Sequence, residues 1–235
     1  TPGSDKYLIK DLSFDLINQN LLIKGESGVG KSSLLRAISG IWTMGKGEIS
    51  KPDFSNIMFL PQKPYMILGT LEEQISYPKQ QGEYSFDEIK EALNKLGLEY
   101  LINDHGINST KDWSRILSVG EQQRLGFARI ILNKPKIAIL DESTSALDER
   151  NEENAYKLLK DTSIAYVSVG HRSNLNKFHN LSLELIRCLA WDDRLNQIIP
   201  QRINNINLNK KKIYIETTSE DNQLNELLNN CGWEV

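Results

Sequence analysis

The sequence predicts an α/β fold built on a mostly parallel sheet, and three observations predict it. Short apolar runs at residues 21–23, 57–60, 137–140 and within 163–169 alternate with helix-patterned stretches. The run Ile137, Ala138, Ile139, Leu140 is apolar at every position, the mark of a strand covered on both faces. Each run then gives way to residues that carry chemistry: Gly25, Gln62, Asp141 with Glu142, and His171. In open α/β sheets ligands collect beyond the carboxyl ends of the strands. Four strand ends therefore point to one place.

Taken in order, the first run closes at Gly25, and a helix-forming stretch over residues 31–39 stops at Gly40, a natural helix terminator. The second run halts at Pro61-Gln62. Residues 85–96 predict an amphipathic helix with Phe86, Ile89, Leu93 and Leu96 on one face. Leu125, Ala128, Ile131 and Leu132 repeat at helical spacing over residues 121–132. Ser118 is a natural N-cap for that helix, and Glu121 completes a capping box.

At 235 residues the chain suits one large domain, or one domain with an appendage. A net charge of −3 argues against a protein whose main task is gripping duplex DNA. Cys188 and Cys231 form neither a framework nor a C-x-x-C pair, so a reducing compartment is expected. No stretch reaches the roughly 18 consecutive apolar residues of a membrane span, and no charged-then-apolar leader opens the chain. It reads as soluble. Beyond about residue 185 the texture changes: asparagines abound, Lys210, Lys211 and Lys212 stand together, and no motif is recognisable. Ile213, Tyr214 and Ile215 could make one strand there, and Leu224, Leu227 and Leu228 one face of a short helix.

The stretch GESGVGKSS fits G-x-x-x-x-G-K-[ST], a loop whose main-chain N–H groups turn inward on phosphate oxygens. Gly25, Gly28 and Gly30 permit the curl, and the following helix adds the positive end of its dipole. Lys31 supplies a mobile charge and Ser32 a hydroxyl that can ligate Mg²⁺. The ordinary alternative, a glycine-rich turn before a core helix, does not require the full pattern. Asp141 can hold the metal through water, and Glu142 can accept a proton from an attacking water. Alone, an acidic pair after a strand reads as a solvated turn; beside a phosphate loop in the same sheet it reads as chemistry. The helix opening at Ser118 carries Gly120 in its first turn and is a second surface able to bind an anion. With a nucleotide filling the first surface, the second is free to cover one held by another copy. His171 follows a strand end and could reach a terminal phosphate, whereas His105 and His179 read as structural. No His, Cys and carboxylate spacing suggests zinc.

Taken together these stretches resemble the nucleotide-binding domain of ABC ATPases. GESGVGKSS is similar to the Walker A motif, FLPQKPY to the Q-loop and LSVGEQQ to the family signature. KIAILDES is similar to Walker B, SALD to the D-loop and SVGHR to the H-loop. All six stand in the family's order, across about three quarters of the chain. Longer stretches, among them FLPQKPYMILGTLEEQISYP and DWSRILSVGEQQRLGFARIIL, look most like subfamily D and its bacterial relatives. In those half-transporters a membrane domain precedes this domain.

The resemblance implies a P-loop NTPase fold of ABC ATPase type, with an antiparallel β part beside the parallel core and a helical subdomain at about 63–133. The ATP-binding domain would cover 1–185, leaving 186–235 as a tail that does not match the subfamily's short ending. Gly25, Glu26, Ser27, Gly28, Val29, Gly30, Lys31, Ser32 and Ser33 would cradle the triphosphate of ATP. Ser32, Gln62 and Asp141 would serve the Mg²⁺ shell. Glu142 would be the general base, with Lys31, Gln62 and His171 completing the catalytic set and His171 sensing the γ-phosphate. Ser118 and Gly120 would act on the ATP of a second copy, with Asp148 at the seam of the dimer. The partners implied are a twin nucleotide-binding domain and a transmembrane domain, upstream or separate, at the cytoplasmic face of a membrane, with no nucleic acid. The aromatic that stacks on adenine in the family falls at or before Thr1, and Tyr7 lies too close to the loop to serve. A soluble member of the family acting on nucleic acid or ribosomes is the alternative. Against it, the interval from Ser32 to Ser118 is too short for a long coiled coil, and only one domain is present.

Overall fold

A computed structural model of the chain describes residues 9, 12–16, 19–43 and 45–185. Tyr7, Cys188, Cys231, the lysines at 210–212 and the strand and short helix expected in the tail lie outside the described residues.

The chain runs β1 (Leu21–Gly25), α1 (Lys31–Ser39), β2 (Ile57–Leu60), α2 (Leu71–Ser76), α3 (Phe86–Lys95), α4 (Tyr100–His105), α5 (Trp113–Ile116) and α6 (Val119–Asn133). β3 (Ile137–Asp141), α7 (Glu149–Lys160), β4 (Ala165–Val169) and β5 (Leu181–Leu185) follow. The five strands form one sheet in the order β2-β3-β4-β1-β5. Every pairing is parallel. The expected antiparallel part is not seen among the described residues, where the single antiparallel contact is an isolated bridge between Gly69 and Lys111.

Alternate residues of β1 to β4 supply two apolar layers, and β5 contributes to one of them. Leu22, Leu60, Ala138, Leu140 and Tyr166 pack on the side of the helices α2, α3, α6 and α7. Leu21, Ile23, Ile139, Val167, Val169 and Leu183 face the other way, onto Leu35 of α1. Each fully buried leucine or isoleucine in these layers contributes about 2 kcal/mol relative to exposure. Both faces of the sheet are covered, which is why β3 carries no polar alternation.

Three helices open on the same device. Thr70 with Glu73, Ser85 with Glu88 and Ser118 with Glu121 each form a complete capping box, satisfying N–H groups that the first turn leaves without partners. Gly126 lets α6 approach β2, because a Cβ there would run into Leu60. The expected apolar face of α3 holds for Ile89, Leu93 and the adjoining Leu96, all buried. Phe86 departs from it and is 50% exposed. It is the first residue of α3, and helical side chains lean toward the N-terminus, so its ring projects past the end of the packed face.

Candidate nucleotide-binding site

The strand order lays the chemistry-bearing residues along one edge. The C-terminal ends of β2, β3, β4 and β1 stand side by side and lead to Gln62, to Asp141 with Glu142, to His171 and to the loop of residues 25–30. β1, beside the edge strand β5, hands its chain to β2 at the opposite edge, and in open α/β sheets ligands collect beyond the carboxyl ends of the strands.

The loop between β1 and α1 is shaped by glycines that side chains would not permit. Gly25 sits at φ 138°, and a Cβ on it would strike the main-chain oxygen of Leu185. Gly30, at φ 109°, is the N-cap of α1 in the left-handed region. Lys31 turns back over the loop: its Nζ donates to the carbonyl oxygens of Gly25 and Glu26, both at 2.8 Å. Only 5% of Lys31 is exposed. A buried ammonium held over glycine-rich backbone at a helix N-terminus is a seat for phosphate oxygens.

Ser32, one residue on, donates from Oγ to Asp141 Oδ1 at 2.8 Å. Burial pushes the Asp141 carboxyl above the usual carboxylate range, against the pull of the Ser32 hydrogen bond and of Arg36 and Lys31. A carboxylate in that position gains from the arrival of a cation. The hydroxyl–carboxylate pair suits Mg²⁺, which takes few protein ligands and completes its octahedron with water and phosphate oxygens. Among the described residues no cluster of three or more His, Cys, Asp or Glu side chains forms a closed metal cage.

Glu142 adopts φ 50°, a left-handed backbone that is rare outside glycine and costs of order 1–3 kcal/mol. The turn that follows is held by Ser145 N donating to Glu142 O at 3.1 Å. This geometry swings the Glu142 side chain to His171, whose Nε2 lies 3.2 Å from Glu142 Oε1. Both side chains keep access to solvent. The pair can hold a water between a proton acceptor and a hydrogen-bonding ring.

Gln62 is exposed, with its Nε2 3.5 Å from Ser145 Oγ. Ser118 spends its polar atoms on its own helix, its Oγ lying 2.6 Å from Glu121 Oε2. Gly120 packs so closely on the following loop that a Cβ would stand 3.2 Å from Ala146 O. Asp148 caps α7, accepting from Asn151 N at 2.8 Å and from Asn151 Nδ2 at 2.7 Å. The main-chain bond to Asn151, then its side-chain bond, lowers the Asp148 carboxyl pKa. Hydrogen bonds thus join Lys31 to the loop carbonyls, Ser32 to Asp141 and Glu142 to His171. Ser118, Gly120 and Asp148 make their hydrogen bonds and contacts elsewhere.

Residue-by-residue reading missed the supports of this edge. Gln123, wholly buried, reaches Gln62, Ser145 and Ala146 from α6. Arg129 is buried on the same helix and donates to Gln74 O at 2.6 Å, Tyr65 O at 2.8 Å and Gln74 Oε1 at 3.2 Å. Burial brings its pKa down to about 10. Polar residues inside an otherwise apolar helix, as in GEQQRLGFAR, were the available signal.

A glycine loop closed by a buried lysine, followed by a serine bonded to a strand-end aspartate, defines a nucleotide-binding protein of the P-loop class. The ABC transporter family model matches residues 9–145, more than half of the chain. The chain is 50% identical over 186 residues to an uncharacterized ABC transporter ATP-binding protein of Synechocystis sp., covering 78% of this chain and 28% of that protein. It is 42% identical over 203 residues to the human lysosomal cobalamin transporter ABCD4, covering 81% of this chain and 34% of the relative. It is 38% identical to ABC transporter D family member 2, chloroplastic, of Arabidopsis thaliana, covering 79% and 33%. A solved bacterial Atm1-family ABC exporter with ATP bound shares the fold, at 23% identity and a TM-score of 0.62, over 72% of this chain and 32% of that one. This chain belongs to the ABC transporter family and corresponds to its nucleotide-binding portion. It spans roughly a third of the length of these relatives or less.

Proposed function

We propose that this chain is the ATP-hydrolysing motor of an ABC transporter. One observation carries the reading: the Glu142–His171 contact of 3.2 Å and the Ser32–Asp141 bond of 2.8 Å lie on neighbouring strand ends, beside the lysine-closed loop. Residues 25–33 hold the triphosphate of ATP, with Lys31 exchanging its carbonyl partners for β- and γ-phosphate oxygens. Ser32, Gln62 and Asp141 hold Mg²⁺, which when bound neutralises charge on the phosphates.

Glu142 takes one proton from a water as that water's oxygen bonds to the γ-phosphorus. The bond from the γ-phosphorus to the bridging oxygen breaks in line, and ADP leaves with that electron pair. His171 steadies Glu142 and hydrogen-bonds the γ-phosphate. Ser118 and Gly120 close the ATP site of a second copy, with Asp148 at the seam. Two copies therefore enclose two ATP molecules and drive a membrane domain on the same or a separate polypeptide, at the cytoplasmic face of a membrane. No described helix is long and apolar enough to cross a membrane itself.

Glu142→Gln tests this. With the general base removed, the variant binds ATP, stalls before hydrolysis and accumulates as a dimer on gel filtration. Normal turnover by that variant would remove Glu142 from its role.

A further inference from the structure

Beneath the Glu142–His171 pair lies a second carboxylate. Glu152, on the first turns of α7, is 1% exposed. Its Oε1 accepts from Thr144 Oγ1 at 2.7 Å, and its Oε2 accepts from Arg172 Nη1 and Asn174 Nδ2, both at 3.2 Å. The chain positions of these donors matter. Thr144 stands two residues after Glu142, within the turn that the left-handed Glu142 opens. Arg172 directly follows His171, and Asn174 lies in the 3-10 turn Ser173–Phe178 that begins next. One buried group therefore grips both segments whose meeting sets the Glu142–His171 distance.

We propose that Glu152 is a positioning residue for the Glu142–His171 pair, acting through Thr144 on one side and Arg172 on the other. A buried carboxylate must accept hydrogen bonds on both oxygens, and charge-assisted bonds are the stronger kind. Those needs fix the heights of the two loops relative to one carboxyl group. The strained backbone at Glu142 requires such over-determination to persist. The partners of Glu152 are Thr144, Arg172 and Asn174, none of them in the glycine loop, which with Lys31 follows a different strand end.

The inference rests on the motor reading, and its test separates the two. Glu152→Gln keeps the shape and an acceptor for Thr144 but sets an uncharged amide against Arg172. Arg172→Met, at a half-exposed side chain, removes the same link should the first variant fail to fold. In the full chain each change is expected to lower kcat for ATP about tenfold, the loss of one hydrogen bond to a charged group, with KM within about twofold. The double variant is expected to lose about tenfold as well, since both changes cut one link. In proton–nitrogen NMR spectra the His171 ring signals move in both variants and stay in place in Glu153→Gln, a control at the neighbouring Lys177-paired position. Costs that multiply to about a hundredfold, a rise in KM with kcat intact, or unmoved His171 signals would each overturn the role. A wild-type chain that hydrolyses no ATP would instead overturn the motor reading, while the His171 signals still decide the role of Glu152.

Discussion

Gln123, wholly buried in α6, donates from Nε2 to the main-chain carbonyl of Gln62 at 2.7 Å. The same nitrogen lies 3.2 Å from Ser145 Oγ, and Oε1 accepts from Ala146 N at 3.0 Å. A single amide thus ties the helix that begins at Ser118 to the loop after β2 and to the loop after β3. Every polar atom of the side chain is used, which suits a group with no access to water.

Gln123→Leu leaves the Gln62 carbonyl and the Ala146 amide without their partner. Two groups stripped of hydrogen bonds cost about 3 kcal/mol together. Urea denaturation should show a lower midpoint with an unchanged slope, and ATP turnover should fall with it. A midpoint equal to the wild type's would mean that water takes over both bonds.

Gly25→Ala tests the phosphate loop from the backbone. The substitution meets both a φ of 138° and the oxygen of Leu185 across the β1–β5 pairing. A destabilisation of about 2 kcal/mol is expected from the strain. Titration with a fluorescent ATP analogue should show nucleotide affinity falling further, because the displaced loop is the binding element. Unaltered affinity would argue that the loop does not form the seat.

His179 gives a pH dependence with a defined sign. Its Nδ1–H donates to Leu175 O at 2.8 Å and its Nε2 lies 2.9 Å from Ser168 Oγ, the arrangement of a neutral ring. Burial, followed by weaker opposing help from the Leu175 carbonyl, takes its pKa down to about 4 from 6.5. The unfolded chain binds the proton first, so stability from this group is complete above pH 6.5 and is lost as pH falls toward 4. The full loss is about 3 kcal/mol at 1.36 kcal/mol per unit. Calorimetry between pH 7 and 4.5 should show Tm falling for the wild type, with a shallower fall for His179→Gln. Equal slopes would place the acid sensitivity in other groups.

Much of this molecule was legible from local pattern. The bounds of α1 and β2 follow from the glycines and the Pro61-Gln62 stop, and the capping box at Ser118 was readable from the spacing to Glu121. Phe86 escaped because periodicity assigns a face without saying where the neighbouring helix ends. Gln123, Arg129 and Glu152 escaped for a different reason: each side chain serves backbone or side chains many residues away, and no local spacing encodes that service.

By itself the sequence determined that a phosphate loop, an acidic pair and a histidine would each stand at the end of a strand, since those rules are local and steric. The tertiary structure decided which of them meet. Ser32 and Asp141 are 109 residues apart and bond because the sheet brings the β1 and β3 ends to one edge. Glu142 and His171, 29 residues apart, meet because β3 and β4 are neighbours and buried carboxyl and amide groups hold the loops above them. Strand order is a property of the whole packed core, and hydrogen-bond distances follow from it.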